Sequence, residues 1–232
     1  MVRFFRRGIA AAALALVAIG AEPAHAGELT PAEAPTAAQF GALGVEESAR
    51  LARGETVTHP ETLEAGDRRY VGGVTYTIVD ASPEDLARVL VDLRAWRKVL
   101  PRTKQARLVG EDGQDFFVEL HQGNSLMEAN YTLRAHKDPA HHEVRFWLDR
   151  RRPHAIADAW GFFRYETVPS LSGAPRTLVT YGVLVDIGPG LVRELFEEQL
   201  RGLMLSVPQR LQRYFAEDVP ARPQQLASLA PN

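Results

Sequence analysis

From Met127 to Ala135 the odd positions are apolar (Met127, Ala129, Tyr131, Leu133, Ala135) and the even positions polar (Glu128, Asn130, Thr132, Arg134). A period of two marks a strand with one buried face. Val144, Phe146 and Leu148 alternate with Glu143, Arg145 and Asp149 in the same way. Further β-rich runs cover residues 70–80, 105–109, 115–121, 156–168 and 177–187, separated by turn residues. Hairpins at such short spacing predict an antiparallel meander.

Two stretches follow the helical period instead. Ser82-Pro83-Glu84-Asp85 supplies an N-cap, a proline at the first helical position and acidic residues in the first turn. Leu86, Val89, Leu90 and Leu93 then share a face, and Trp96, Val99 and Leu100 extend the stripe to Pro101. Two short helices meeting near Asp92 are predicted. Later, Leu191, Val192, Leu195, Phe196, Leu200, Leu203, Met204, Val207, Leu211 and Phe215 recur at helical spacing opposite Arg193, Glu194, Glu197, Glu198, Arg201, Gln209 and Arg213. That is an amphipathic helix of about 25 residues. Pro208 removes one donor from it and is expected to kink it.

The ends have a different character. Arg3, Arg6 and Arg7 precede an uncharged run from Gly8 to Gly20, and Ala24-His25-Ala26 follows. This is the pattern of a cleavable export signal over residues 1–26, cut after Ala26. The run is shorter than a spanning helix needs, although an uncleaved membrane anchor is the alternative. The expected destination is the periplasm or the exterior. Residues 27–65 read as a linker with one short helix, Val45 to Arg53, stopped by Gly54. The compact domain is expected over 66–217. The proline-containing tail 218–232 is expected to be disordered.

Composition narrows the function. The 232 residues are 45% hydrophobic and 24% charged, with no cysteine and a formal net charge of -2. These values exclude a disulfide scaffold, a thiol nucleophile and a basic nucleic-acid-binding surface. No nucleophile elbow, zinc-helix motif, P-loop or dinucleotide fingerprint is present. His141-His142-Glu143 cannot bring all three side chains to one face of a strand. His121, Glu119 and Glu128 read as solvent-facing cross-strand partners. Asp158, in a stretch poor in other charge, either faces the interior and orients a polar group or faces outward and pairs with a neighbouring strand arginine. Arg150-Arg151-Arg152 forms a local basic turn, a candidate for transient contact with an anionic membrane surface.

A strand, two short helices, an antiparallel meander and a long final helix resemble the START-like (SRPBCC) helix-grip superfamily, an α+β fold. The resemblance covers about residues 68–217. It is carried by Val79 to Leu86, by Trp96 with Leu100-Pro101, by Gly161 to Phe163, by Arg176 to Tyr181, and by the final helix. Among subgroups it is most similar to polyketide cyclase/lipid-transport and coenzyme-Q-binding proteins. The resemblance implies a curved sheet wrapped around the last helix, with an apolar cavity between them.

The sequence therefore points to an exported, non-enzymatic carrier of a hydrophobic small molecule such as a lipid, quinone or terpenoid. No cofactor, metal or nucleic-acid partner is expected. The expected lining is Trp96, Met127, Tyr131, Phe146, Asp158, Trp160, Tyr181, Leu195, Phe196, Leu200 and Met204. Aromatic and methionine side chains suit an adaptable apolar cavity. The alternative is an aromatase/cyclase-like enzyme using Asp158, Tyr181 or Arg145. A structural protein without ligand is the third reading.

Overall fold

Short connections dictate antiparallel pairing, and one longer crossover sets the strand order. The structure is a computed structural model that describes residues 43–124, 128–170 and 173–217. The expected export signal, the start of the linker, the tail 218–232 and Met127 lie outside the described residues. Eight strands form one sheet: β1 (Val57–Ala65), β2 (Arg68–Val79), β3 (Thr103–Asp112), β4 (Asp115–Gly123), β5 (Glu128–Asp138), β6 (Glu143–Leu148), β7 (Asp158–Thr167) and β8 (Thr177–Asp186). Their order is β1-β2-β8-β7-β6-β5-β4-β3. Between β2 and β3 the helices α2 (Pro83–Val89) and α3 (Leu93–Val99) carry the chain to the far edge. The meander then returns until β8 pairs with β2.

Local signals explain the helix pair. Ser82 Oγ accepts from the Asp85 amide at 3.1 Å, and the Asp92 carboxylate accepts from the Arg94 amide at 2.8 Å. The indole of Trp96 donates to Leu90 O at 2.9 Å, closing one helix on the other. The stripe expected to form one kinked helix is divided into α4 (Leu191–Leu205) and α5 (Val207–Glu217). The break falls at Ser206, just before Pro208, which lacks the amide needed to continue the ladder. Two hydroxyls serve carbonyls at the break: Ser206 Oγ donates to Leu203 O at 2.7 Å and Thr75 Oγ1 to Leu205 O at 3.1 Å.

One sequence expectation is corrected at the edge. Residues 57–65, read as linker, form β1, paired with β2 from Val57–Tyr76 to Ala65–Arg68. Pro60 is tolerated because β1 is an edge strand, where a missing donor disrupts little. Before it, α1 (Val45–Ala52) lays Leu51 against Val57, Val74 and Tyr76.

The sheet buries both faces. On the face toward α4 and α5, Val79, Phe116, Val118, Leu120, Phe146, Phe163, Tyr181 and Val183 join the main core with Leu211 and Phe215. On the other face, Tyr70, Trp160, Phe162 and Leu184 form a separate buried cluster. Successive strand residues alternate between these two cores. Among the described residues no helix is long and apolar enough to cross a membrane.

Candidate functional site

The main core is not filled. Between the sheet and α4 lies a cavity of about 370 Å³, within the range of small-molecule sites. Strand positions of one parity line the sheet side: Leu120, Tyr131, Leu133, Phe146, Phe163, Tyr181 and Val183. Helices supply Leu90, Trp96, Val99, Leu200, Leu203, Met204, Val207 and Leu211. Pro101, Arg102, Gly123, Glu128, Ile156, Ile187 and Pro189 also line it. All seven lie at strand termini or connections at one end of the sheet, which makes that end the mouth.

Two tyrosines bring polar atoms into this apolar space. Tyr131 donates its hydroxyl to Gln122 Oε1. The Gln122 amide nitrogen in turn donates to Pro101 O at 3.2 Å and to Thr103 Oγ1 at 2.8 Å, which fixes its orientation. Tyr181 is 4% exposed, and its hydroxyl has no hydrogen-bond partner among the described residues. Its ring is held by Phe163, with centroids 4.6 Å apart, and by Phe146 at 6.3 Å. Desolvation raises the pKa of both phenols above the ordinary tyrosine value, so both are protonated at neutral pH. At the mouth, Glu128 is held ionised by Lys104 and then His121, which lower its pKa. Arg102 adopts a left-handed φ of 55°, and its carbonyl accepts from the Gly123 amide at 3.0 Å.

Of the residues expected to line the cavity, Trp96, Tyr131, Phe146, Tyr181, Leu200 and Met204 do so. Four do not. Trp160 belongs to the cluster on the other face, because its neighbours Ala159 and Gly161 occupy the inward positions. Asp158 shares that outward parity. It accepts from Tyr70 Oη at 2.6 Å and pairs with Arg150 at 2.6 Å. Leu195 is 69% exposed. Phe196 is half-buried but outside the lining. Met127 lies outside the described residues. Sequence reading missed Gln122, Phe163 and Leu203. The Phe163 signal was the alternation with Gly161, masked by a run that is apolar at nearly every position.

The other candidate groups are engaged in ion pairs or hydrogen bonds with neighbouring side chains. Arg151 and Arg152 each approach Asp149 at 3.4 Å, alongside the Arg150–Asp158 pair. His141 meets Asp138 at 2.8 Å, Glu143 meets Arg164 at 2.8 Å and Arg145 at 3.1 Å, and His121 meets Glu128 at 3.0 Å. No group of three His, Cys, Asp or Glu that could hold a metal ion occurs among the described residues.

These features, a curved antiparallel sheet, a helix pair after its first long strand and a terminal helix over a cavity, recur in solved structures. A STAR-related lipid transfer protein from Xanthomonas axonopodis superposes with a TM-score of 0.56 at 15% identity, over 70% of this chain and 94% of that one. The fold is the START-like helix grip. A second solved structure, from Thermus thermophilus, matches with a TM-score of 0.50 at 14% identity, over 63% of this chain and 97% of its own. A Streptomyces aromatase/cyclase gives 0.47 at 15% identity, over 67% and 96%. No protein-family model and no curated protein matches the sequence.

In this helix grip α4 closes the cavity, and its outer side is tied to the β1–β2 edge by ion pairs. Glu197 receives Arg69 at 2.9 and 3.1 Å and Arg201 at 3.4 Å, and Arg201 also donates to Thr62 Oγ1 at 2.9 Å. The Arg69–Glu197 pair, with Arg69 37% exposed, is worth about 0–1 kcal/mol. Side-chain ties of this kind hold α4 less firmly than the backbone ladders hold the strands, so α4 is expected to open before the sheet does. Gly202 adds to this, because glycine is a poor helix former, and an alanine would fit there, since a Cβ would meet nothing within 4 Å. Gly202→Ala is expected to stabilise α4 by roughly 1 kcal/mol, slowing amide exchange there about fivefold. Unchanged exchange in α4 by mass spectrometry would contradict the assignment of α4 as the moving element.

Proposed function

We propose that the chain binds a hydrophobic small molecule in this cavity and carries it without converting it. The observation that carries the reading is the ~370 Å³ space lined by apolar side chains beneath α4. An apolar space of that size is poorly hydrated, so exchanging its water for an apolar ligand is favourable. Catalysis finds little support. Among the described lining residues the titratable groups are Arg102, Glu128, Tyr131 and Tyr181. Glu128 is shifted down and the tyrosines are shifted up, away from the neutral range that general acid–base work favours. Asp158 and Arg145, the other groups an aromatase/cyclase-like reading relied on, lie at outward strand positions.

The ligand class in this reading is a lipid, quinone or terpenoid. The export pattern of residues 1–26 places the carrier in the periplasm or outside the cell. Arg151, its side chain 77% exposed, is where contact with an anionic membrane surface would run. Native mass spectrometry of protein purified from its source tests the whole reading. The expected result is a chain beginning at Gly27 with a hydrophobic molecule that organic solvent releases. Protein that is empty in repeated preparations and binds no hydrophobic dye would sink the carrier reading. Retention of residues 1–26 in the membrane fraction would make it an anchored carrier.

A further inference from the structure

We infer that the ligand bears a hydrogen-bond-accepting oxygen, of the ketone or quinone carbonyl class, and that the Tyr181 hydroxyl donates to it. The inference deepens the cavity reading and rests on it. Tyr181 stands at the middle of β8, opposite Thr75 of β2 and Phe163 of β7. Among the described residues buried in the cavity, its hydroxyl is the donor left over once Tyr131 is committed to Gln122 and the Trp96 indole to Leu90 O, the Arg102 guanidinium belonging to the exposed mouth. Buried polar groups are almost always satisfied, and one that finds no partner in the protein commonly awaits a water or a ligand.

The surroundings fix both its direction and its chemistry. Phe146 and Phe163 pack against the Tyr181 ring and leave it little freedom to turn its hydroxyl elsewhere. Gly161 makes this arrangement possible. A Cβ there would stand 2.3 Å from Phe146 Cζ, so only glycine lets that ring lie across β7. Because desolvation keeps the phenol protonated, Tyr181 offers a neutral O–H rather than a phenolate. Its natural counterpart in an apolar space is a neutral acceptor, since a buried anion would need a compensating charge. A carbonyl meets that requirement, whereas a pure hydrocarbon leaves the hydroxyl unpaired.

Fluorenone and fluorene separate the two cases, because they share a shape and differ in one carbonyl. Each is used to displace the neutral dye N-phenyl-1-naphthylamine from the wild-type protein and from Tyr181→Phe. The wild type is expected to prefer fluorenone by at least about fivefold, as one hydrogen bond allows. Tyr181→Phe is expected to erase that preference while leaving fluorene affinity unchanged. Empty Tyr181→Phe protein is expected to melt no lower than wild type, since it loses a hydroxyl that has no partner among the described residues.

Equal affinity of the wild type for both probes overturns the inference and leaves the carrier reading standing. Loss of both probes in Tyr181→Phe, with a lower melting temperature, also overturns it, because the hydroxyl would then be structural. If the dye and both probes fail to bind wild type, the cavity reading and this inference fall together.

Discussion

Leu200→Arg is expected to weaken binding of a neutral hydrophobic dye by at least about a hundredfold, the effect of a few kcal/mol from an unpaired charge in an apolar site. Leu200 lines the cavity from α4. The guanidinium would have either to remain there without a partner or to occupy the mouth while reaching water. Leu195→Arg is the matched control. It lies five residues earlier on the same helix, is 69% exposed, and is expected to change affinity by less than about twofold, as surface changes usually do. Dye titration with a thermal melt of each variant decides. Equal losses from both substitutions would place the ligand elsewhere.

A large stability effect is expected at Gly161, the close-packed glycine on the cavity side of β7. An added Cβ would meet Phe146 Cζ at 2.3 Å and the carbonyl oxygen of Gly182 at 2.5 Å. The ring could swing away, but the neighbouring strand's backbone cannot do so without disturbing the β7–β8 ladder. Gly161→Val is therefore expected to destabilise by roughly 1–3 kcal/mol, the usual cost of overpacking, and to lower the melting temperature by several degrees. Because Phe146 has only the cavity to move into, dye affinity is expected to fall as well. A variant with wild-type melting and wild-type affinity would refute the packing described for β7.

Legibility followed the contrast between the two faces of each element. β5 and β6 alternate sharply, and their inward residues Tyr131 and Phe146 are readable from the pattern. β7 lies in the middle of the sheet between two cores, with Ala159, Trp160, Phe162 and Phe163 all buried. Hydrophobicity alone cannot phase such a strand, so the expected lining takes in Trp160, and also Asp158, whose face the pattern leaves open. β1 failed for the opposite reason. As an edge strand it buries little, tolerates Pro60 and is largely polar, so it resembles a loop. The α4 stripe was legible as amphipathic but wider than the cavity, leaving Leu195 in solvent.

By itself the sequence determined the types of the elements from β2 onward, the helix start at Ser82, a helix junction near Asp92 and a bend at Pro208. These follow from local periodicity, capping and proline geometry, which act over a few residues. Only the tertiary structure decided which face of β7 meets the cavity, that Asp158 pairs with Arg150 and Tyr70, and that the Tyr181 hydroxyl has no partner among the described residues. Each of these depends on strands brought together from distant parts of the chain. Whether a polar atom finds a partner, or a glycine makes room for a ring, is set by neighbours that no local pattern names.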